Sequence, residues 1–82
     1  MDDGQIRKVI FDVLGSIAPE VTASEIDAAV PLRDQIDLDS MDFLNFIIGL
    51  HQKFSVDIPE SDYARLTSID DIVRYLRRQT ET

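Results

Sequence analysis

The sequence predicts an all-α fold: a small four-helix bundle of three main helices and one short helix, with a long loop between the first two. Two observations carry this prediction. Three segments repeat apolar residues at the spacing of amphipathic helices, and none shows the strict alternation of a half-buried strand. A chain of 82 residues with 44% apolar content can also bury one small core. Residues 1–82 are therefore expected to form a single domain.

The first helix is predicted over residues 4–16, with Gly15 and Pro19 marking its end. Its apolar face consists of Ile6, Val9, Ile10, Val13, Leu14 and Ile17. Residues 18–39 then show no steady period, and a connection of this length in a compact domain is often functional. We expect its aliphatic residues to hold it against the core: Ile26, Val30, Leu32, Ile36 and Leu38.

The second main helix is predicted over about residues 40–54, with the Asp39 carboxylate as its N-cap. Its apolar positions are too many for one stripe. One set is assigned to the core: Phe43, Phe46, Ile47, Leu50 and Phe54. A second set is assigned to an exposed edge that could bind a partner: Met41, Leu44 and Ile48.

The remaining helices follow a break at Pro59. A short helix is predicted over about residues 59–65, with Tyr63 and Leu66 packing inward. Thr67 with Asp70 resembles a capping box that opens the last helix, over about residues 68–78. The core positions of this helix are Ile69, Ile72, Val73 and Leu76.

Composition and charge exclude several functions. Sixteen acidic against eight basic residues give a net charge of −8, which argues against binding nucleic acid. The chain has no cysteine and one histidine, His51, so neither a zinc site nor a disulfide is predicted. No apolar run approaches the ~20 residues of a membrane span. We therefore expect a soluble cytoplasmic protein.

One serine, Ser40, stands among four aspartates where the second main helix begins: Asp34, Asp37, Asp39 and Asp42. The plainest interpretation of this stretch is a helix cap. A hydrolytic serine would instead need a neighbouring base. His51 lies about three turns, or ~16 Å, further along the same helix, so no self-contained catalytic site is predicted.

Two further interpretations concern ligands and modification. The aspartates resemble the start of a calcium loop, but Met41, Asp42 and Ile48 stand where an oxygen ligand, a glycine and a glutamate belong, so no metal site is predicted. Alternatively, another protein modifies Ser40. A phosphate ester there would meet the unpaired N–H groups and the positive end of the helix.

Several motifs then occur together. LDSM surrounds Ser40, the aromatic Phe54 ends the same helix, and VDIP and LTSIDDIVRYL follow. In this order and spacing, roughly residues 30–76 resemble the acyl carrier protein family, which usually reads L-D-S-L at the first motif. A lone D-S-[LM] is weak evidence, but the full array in a short acidic chain is strong.

The resemblance implies a 4′-phosphopantetheine arm on Ser40, transferred from coenzyme A by a phosphopantetheinyl transferase. Asp39 and Asp42 would flank the attachment point and serve transferase recognition. The thiol of the arm would hold acyl groups as thioesters, which explains the absence of cysteine. Enzymes that load and transfer acyl groups would contact the second main helix at Met41, Leu44, Asn45 and Ile48. The chain itself is then expected to be a monomeric, non-catalytic carrier.

The chain also departs from the family pattern. Asn45 stands where an acid is common, His51-Gln52-Lys53 replaces an acidic run, and the glycine before the motif is missing. These differences favour a specialised carrier, for an unusual fatty acid, a polyketide or a lipid modification, over the carrier of primary fatty acid synthesis. Met41 also occurs in the D-alanyl branch of the family. An aminoacyl carrier and an unmodified helical interaction module are the alternatives.

Overall fold

The computed structural model describes residues 2–80, which contain four α-helices, two 3₁₀ helices and no strand. The α-helices are α1 (Asp3–Ile17), α2 (Leu32–Gln35), α3 (Ser40–Phe54) and α4 (Ile69–Thr80), and the 3₁₀ helices span Ala23–Glu25 and Glu60–Arg65. The all-α prediction is confirmed, as are the three main helices. The predicted short helix is the second 3₁₀ helix, and α2 was not predicted.

A capping box starts α1. The Asp2 carboxylate accepts from the Gln5 N–H at 2.8 Å, and the Gln5 side chain accepts from the Asp2 N–H at 2.9 Å. The helix continues through Gly15 and ends at Ile17, one residue after the predicted end. Proline follows the Ala18 C-cap, and it cannot extend the helix.

The long connection between α1 and α3 is ordered against the rest of the bundle. Leu32 and Leu38 are buried, and Ile26 and Ile36 pack half-buried against the core, as predicted. Val30 is half-buried but is not among the residues packed on the core, so its predicted role is wrong. Main-chain hydrogen bonds complete the attachment, from Leu32 N–H to Thr67 O (2.8 Å) and from Asp70 N–H to Ala28 O (3.0 Å).

The core forms where α3 and α4 each pack on α1. It consists mainly of the predicted aliphatic and aromatic positions, and its fully buried members include Ile6, Ile10, Leu14, Phe46, Leu50, Ile72 and Leu76. Each such side chain contributes about 1.5–3 kcal/mol by leaving water. Phe43 departs from the prediction, because it is half-buried at the margin of the core.

The cap of α4 differs from the predicted pairing of Thr67 with Asp70. Asp71 is the acceptor instead: its Oδ2 accepts from the hydroxyls of Thr67 (2.7 Å) and Ser68 (2.9 Å). The Asp71 N–H donates back to Ser68 Oγ at 3.2 Å. These hydrogen bonds lower the pKa of the Asp71 carboxyl below its usual 3.8, and the bond from Thr67 has the largest effect. Asp70 instead forms an exposed ion pair with Arg7, whose Nη2 lies 3.2 Å from Asp70 Oδ1.

The second 3₁₀ helix follows Pro59 and is fixed to α4 by Tyr75. The Tyr75 hydroxyl donates to Asp62 Oδ2 at 2.7 Å, while the ring is buried. Burial and the neighbouring carboxylate raise the pKa of Tyr75 to about 12, so the phenol keeps the proton that it donates. Leu66 is buried as predicted, and Tyr63 is half-buried.

The close approach between α1 and α3 can be tested by replacing each of two glycines with alanine. A Cβ at Gly49 would lie 2.5 Å from Val13 Cγ1, whereas a Cβ at Gly15 would meet nothing within 4 Å. Gly15→Ala should stabilise the protein by ~0.5–1 kcal/mol through helix propensity. Gly49→Ala gains the same propensity but overpacks the stiff, buried Val13, at a cost of ~1–3 kcal/mol. Urea unfolding should therefore show a net loss for Gly49→Ala. Equal gains for the two variants would contradict this helix contact.

Candidate functional site

The candidate site is the N-terminal end of α3, where Ser40 is the first helical residue. Asp39 is the N-cap, with extended backbone, and its carboxylate accepts from the Asp42 N–H at 2.8 Å. The Phe43 N–H donates to the Asp39 carbonyl at 2.9 Å, which starts the ladder of α3. The predicted cap and both ends of this helix are confirmed.

The Ser40 side chain is exposed and takes no part in this cap. Its hydroxyl makes no hydrogen bond with any of residues 2–80. The stretch does contain a helix cap, as its plainest interpretation predicts, but the capping residue is Asp39 and not Ser40. A reactive group from another protein can reach the Ser40 oxygen without breaking a hydrogen bond or opening the fold.

The acidic side chains around Ser40 are spread over three local structures. Asp34 lies on α2, Asp37 lies in the connection, and Asp39 and Asp42 belong to the first turn of α3. Within the described range, no group of three or more histidine or acidic side chains is arranged to hold a metal ion. Negative charge therefore surrounds the positively polarised end of α3.

An apolar edge runs from Ser40 along the outer side of α3. Met41, Leu44 and Ile48 are 67%, 39% and 43% exposed, so the sequence prediction of a second, uncovered apolar face is confirmed. Asn45 is exposed beside them. Residues three and four apart share a helix face, so these side chains form one surface within about two turns of Ser40.

Phe43, also near the start of α3, is not part of this edge and lines a groove of about 250 Å³. The guanidinium of Arg33 lies over the Phe43 ring, 5.7 Å from its centroid. The Tyr63 ring packs edge-on against the Phe43 ring, with 6.4 Å between the two centroids. Ile48 and His51 help line a second groove of about 400 Å³. Sequence reasoning missed Arg33, because the segment that brings it to α3 has no helical period.

His51 lies near the other end of α3 and stabilises the end of that helix. Its Nδ1–H donates to the Val56 carbonyl at 2.7 Å, across Ser55, which takes the left-handed conformation (φ 53°, ψ 43°). The imidazole is thus hydrogen-bonded to the main chain just beyond α3. It lies three turns from Ser40 and offers that serine no base.

Over the range 2–80, none of the helices has the length and apolar character needed to cross a bilayer.

Comparisons with known proteins agree with this geometry. The profile of the family described as "Phosphopantetheine attachment site" matches residues 5–76. The acyl carrier protein of Clostridium acetobutylicum is 27% identical over 77 residues, which cover 94% of each chain. That of Campylobacter hominis is 33% identical over 72 residues, covering 88% of this chain and 85% of the relative. That of Rhodococcus erythropolis is 32% identical over 75 residues, covering 88% and 82%.

The profile spans most of the chain, and these relatives match along most of their own length. The match implies a covalently attached 4′-phosphopantetheine group and a carrier that is handled by modifying and acyl-handling enzymes. The chain belongs to the acyl carrier protein family.

Proposed function

We propose that this chain presents acyl groups as thioesters on a 4′-phosphopantetheine arm attached to Ser40. The observation that carries the proposal is the exposed, unbonded Ser40 hydroxyl at the first helical position of α3. Asp39 already caps the helix, so modification of Ser40 would cost no hydrogen bond of the fold. The chain has no cysteine, and the arm would supply the thiol.

The residues around Ser40 fit a phosphodiester. The N–H groups of Ser40 and Met41 belong to the first turn, whose donors have no partner within the helix. Together with the helix dipole they favour an anion, by ~0.3–1 kcal/mol at an exposed site. In the transfer, the Ser40 hydroxyl would give its proton to a base of the transferase and its oxygen would form the new bond to phosphorus, while the pyrophosphate bond of coenzyme A breaks and adenosine bisphosphate leaves.

Asp39 and Asp42 are proposed to recognise the phosphopantetheinyl transferase. Both flank Ser40, and their carboxylates can attract magnesium or basic side chains of the transferase. The apolar edge is proposed to contact the enzymes that load and unload the arm, through Met41, Leu44, Asn45 and Ile48. This edge is exposed and begins next to the attachment point, so a docked enzyme would cover both.

We infer a specialised carrier with acyl cargo, acting in the cytoplasm as a monomer. Asn45 and the exposed His51-Gln52-Lys53 run give α3 a less acidic outer face than the family pattern. The relatives named above are acyl carriers, which favours acyl over aminoacyl cargo. Loading of the modified chain with malonyl, long-chain acyl and D-alanyl donors distinguishes these cargo classes.

Attachment at Ser40 can be tested by intact-mass analysis. After incubation with coenzyme A and a broad-specificity phosphopantetheinyl transferase, the unaltered chain should gain one phosphopantetheine group. Ser40→Ala should gain none, because it lacks the oxygen. Ser24→Ala, which removes another exposed serine, should be modified like the unaltered chain.

Two outcomes would contradict attachment at Ser40. One is a chain that gains no mass although a known carrier in the same reaction does. The other is a Ser40→Ala variant that gains as much as the unaltered chain.

Docking on the apolar edge can be tested with a single charge. Leu44→Asp places a carboxylate in the middle of the edge, and burying that charge under a partner is costly. The rate of loading by an acyl-transfer enzyme should fall about tenfold or more, a loss of ~1.4 kcal/mol. Gln79→Glu adds the same charge to exposed α4 and should leave the rate unchanged. Loading unaffected by Leu44→Asp would rule out this edge.

A further inference from the structure

A groove lined by arginines lies between the second 3₁₀ helix and α4, outside the site described above. It encloses about 270 Å³, and its lining residues are Arg65, Asp71, Arg74, Tyr75 and Arg78. Three guanidinium groups against one carboxylate give this groove, the arginine groove, a net positive charge. The chain as a whole carries −8.

The guanidinium groups of the arginine groove have few acceptors among residues 2–80. Arg65 lies over the Tyr75 ring, with Cζ 5.4 Å from the centroid. Arg74 Nη2 is 3.7 Å from Asp71 Oδ1, a long contact between exposed side chains, and the other Asp71 oxygen already accepts two hydroxyl hydrogen bonds. Arg78 forms no ion pair with any residue in the range 2–80. The groove thus holds donors that an external acceptor could use.

The placement of these arginines is not explained by the helix dipole alone. Cations near the end of α4 are stabilised by the dipole, which accounts for Arg78. Arg65, however, belongs to the 3₁₀ helix and is held beside α4 by the Tyr75 ring. The charge is also segregated along the chain: residues 65–80 hold four arginines and two aspartates, whereas residues 2–64 hold four basic and thirteen acidic residues.

We propose that the arginine groove binds a carboxylate-rich segment of a partner protein. Guanidinium groups form paired hydrogen bonds with carboxylates. Arg74 and Arg78 are four residues apart and form a row along α4, which suits successive carboxylates better than one compact anion. Compact phosphate sites commonly use main-chain N–H groups at a helix start, whereas this row follows the middle and last turns of α4.

The arginine groove and the apolar edge are separate surfaces. The residues that line the groove belong to the second 3₁₀ helix and α4, whereas those of the apolar edge belong to α3. The proposal does not depend on modification of Ser40. It gives the chain a second contact surface of opposite charge to the stretch around that serine.

The test uses the 82-residue chain and a fluorescent oligoglutamate peptide, whose binding is followed by fluorescence anisotropy at low and at physiological ionic strength. The net charge of −8 repels this peptide, so any binding reports a local positive site. We expect binding that weakens with salt. In NMR spectra, the Nε–H signals of Arg65, Arg74 and Arg78 should shift. The double variant Arg74→Ala/Arg78→Ala should lose about tenfold or more in affinity, ~1.4 kcal/mol.

Arg33→Ala is the matched control, because it removes an exposed arginine that also lies over an aromatic ring, 5.7 Å from the Phe43 centroid. It should bind the peptide like the unaltered chain, and circular dichroism should show that every variant is folded. Absence of binding at low salt, or an equal loss in Arg33→Ala, would overturn the proposal. Inorganic phosphate that binds as tightly with the same shifts would make the groove a small-anion site and would equally overturn it.

Discussion

The hydrogen bond from the Asp42 amide to the Asp39 carboxylate fixes the residue at which α3 begins, and the candidate site follows from that point. With Asp39 as the cap, Ser40 becomes the first helical residue, and its hydroxyl makes no hydrogen bond with any of residues 2–80. The apolar pattern of α3 decides which side of the helix meets the core. Phe46 and Leu50 are buried, while the apolar edge stays outside: Met41, Leu44 and Ile48. The cap therefore leaves the candidate attachment point free, and the apolar pattern leaves the apolar edge exposed next to it.

Packing on α1 holds this arrangement in place. Both α3 and α4 pack on α1, and Gly49 lets α3 approach Val13 closely. The bundle thereby separates two surfaces of different character. The N-terminal end of α3 is acidic and apolar, whereas the arginine groove on α4 is basic. An acidic carrier with a basic surface on another helix can engage partners of both charges, since complementary potential governs encounter more than affinity.

Much of this was predictable because long helices repeat their pattern several times. The bounds of α1 and α3 and the uncovered edge follow from periodicity and from an excess of apolar positions. α2 was missed because four residues are too few to show a period. The cap of α4 was misassigned because Asp70 and Asp71 are adjacent, and only the fold shows that Asp71 receives the hydroxyls. The arginine groove depends on the tertiary contact of Arg65 with Tyr75, ten residues apart, for which the sequence has no signal.

The central claim is that Asp39, and not Ser40, caps α3. The most direct measurement compares the free energy of unfolding of Asp39→Ala and Ser40→Ala in urea. Loss of an N-cap costs ~1 kcal/mol, so Asp39→Ala should be destabilised by about that amount. Ser40→Ala should stay within ~0.5 kcal/mol of the unaltered chain, as for a surface position with no special role. If Ser40→Ala loses as much as Asp39→Ala, the hydroxyl is part of the cap and is not free to carry an arm.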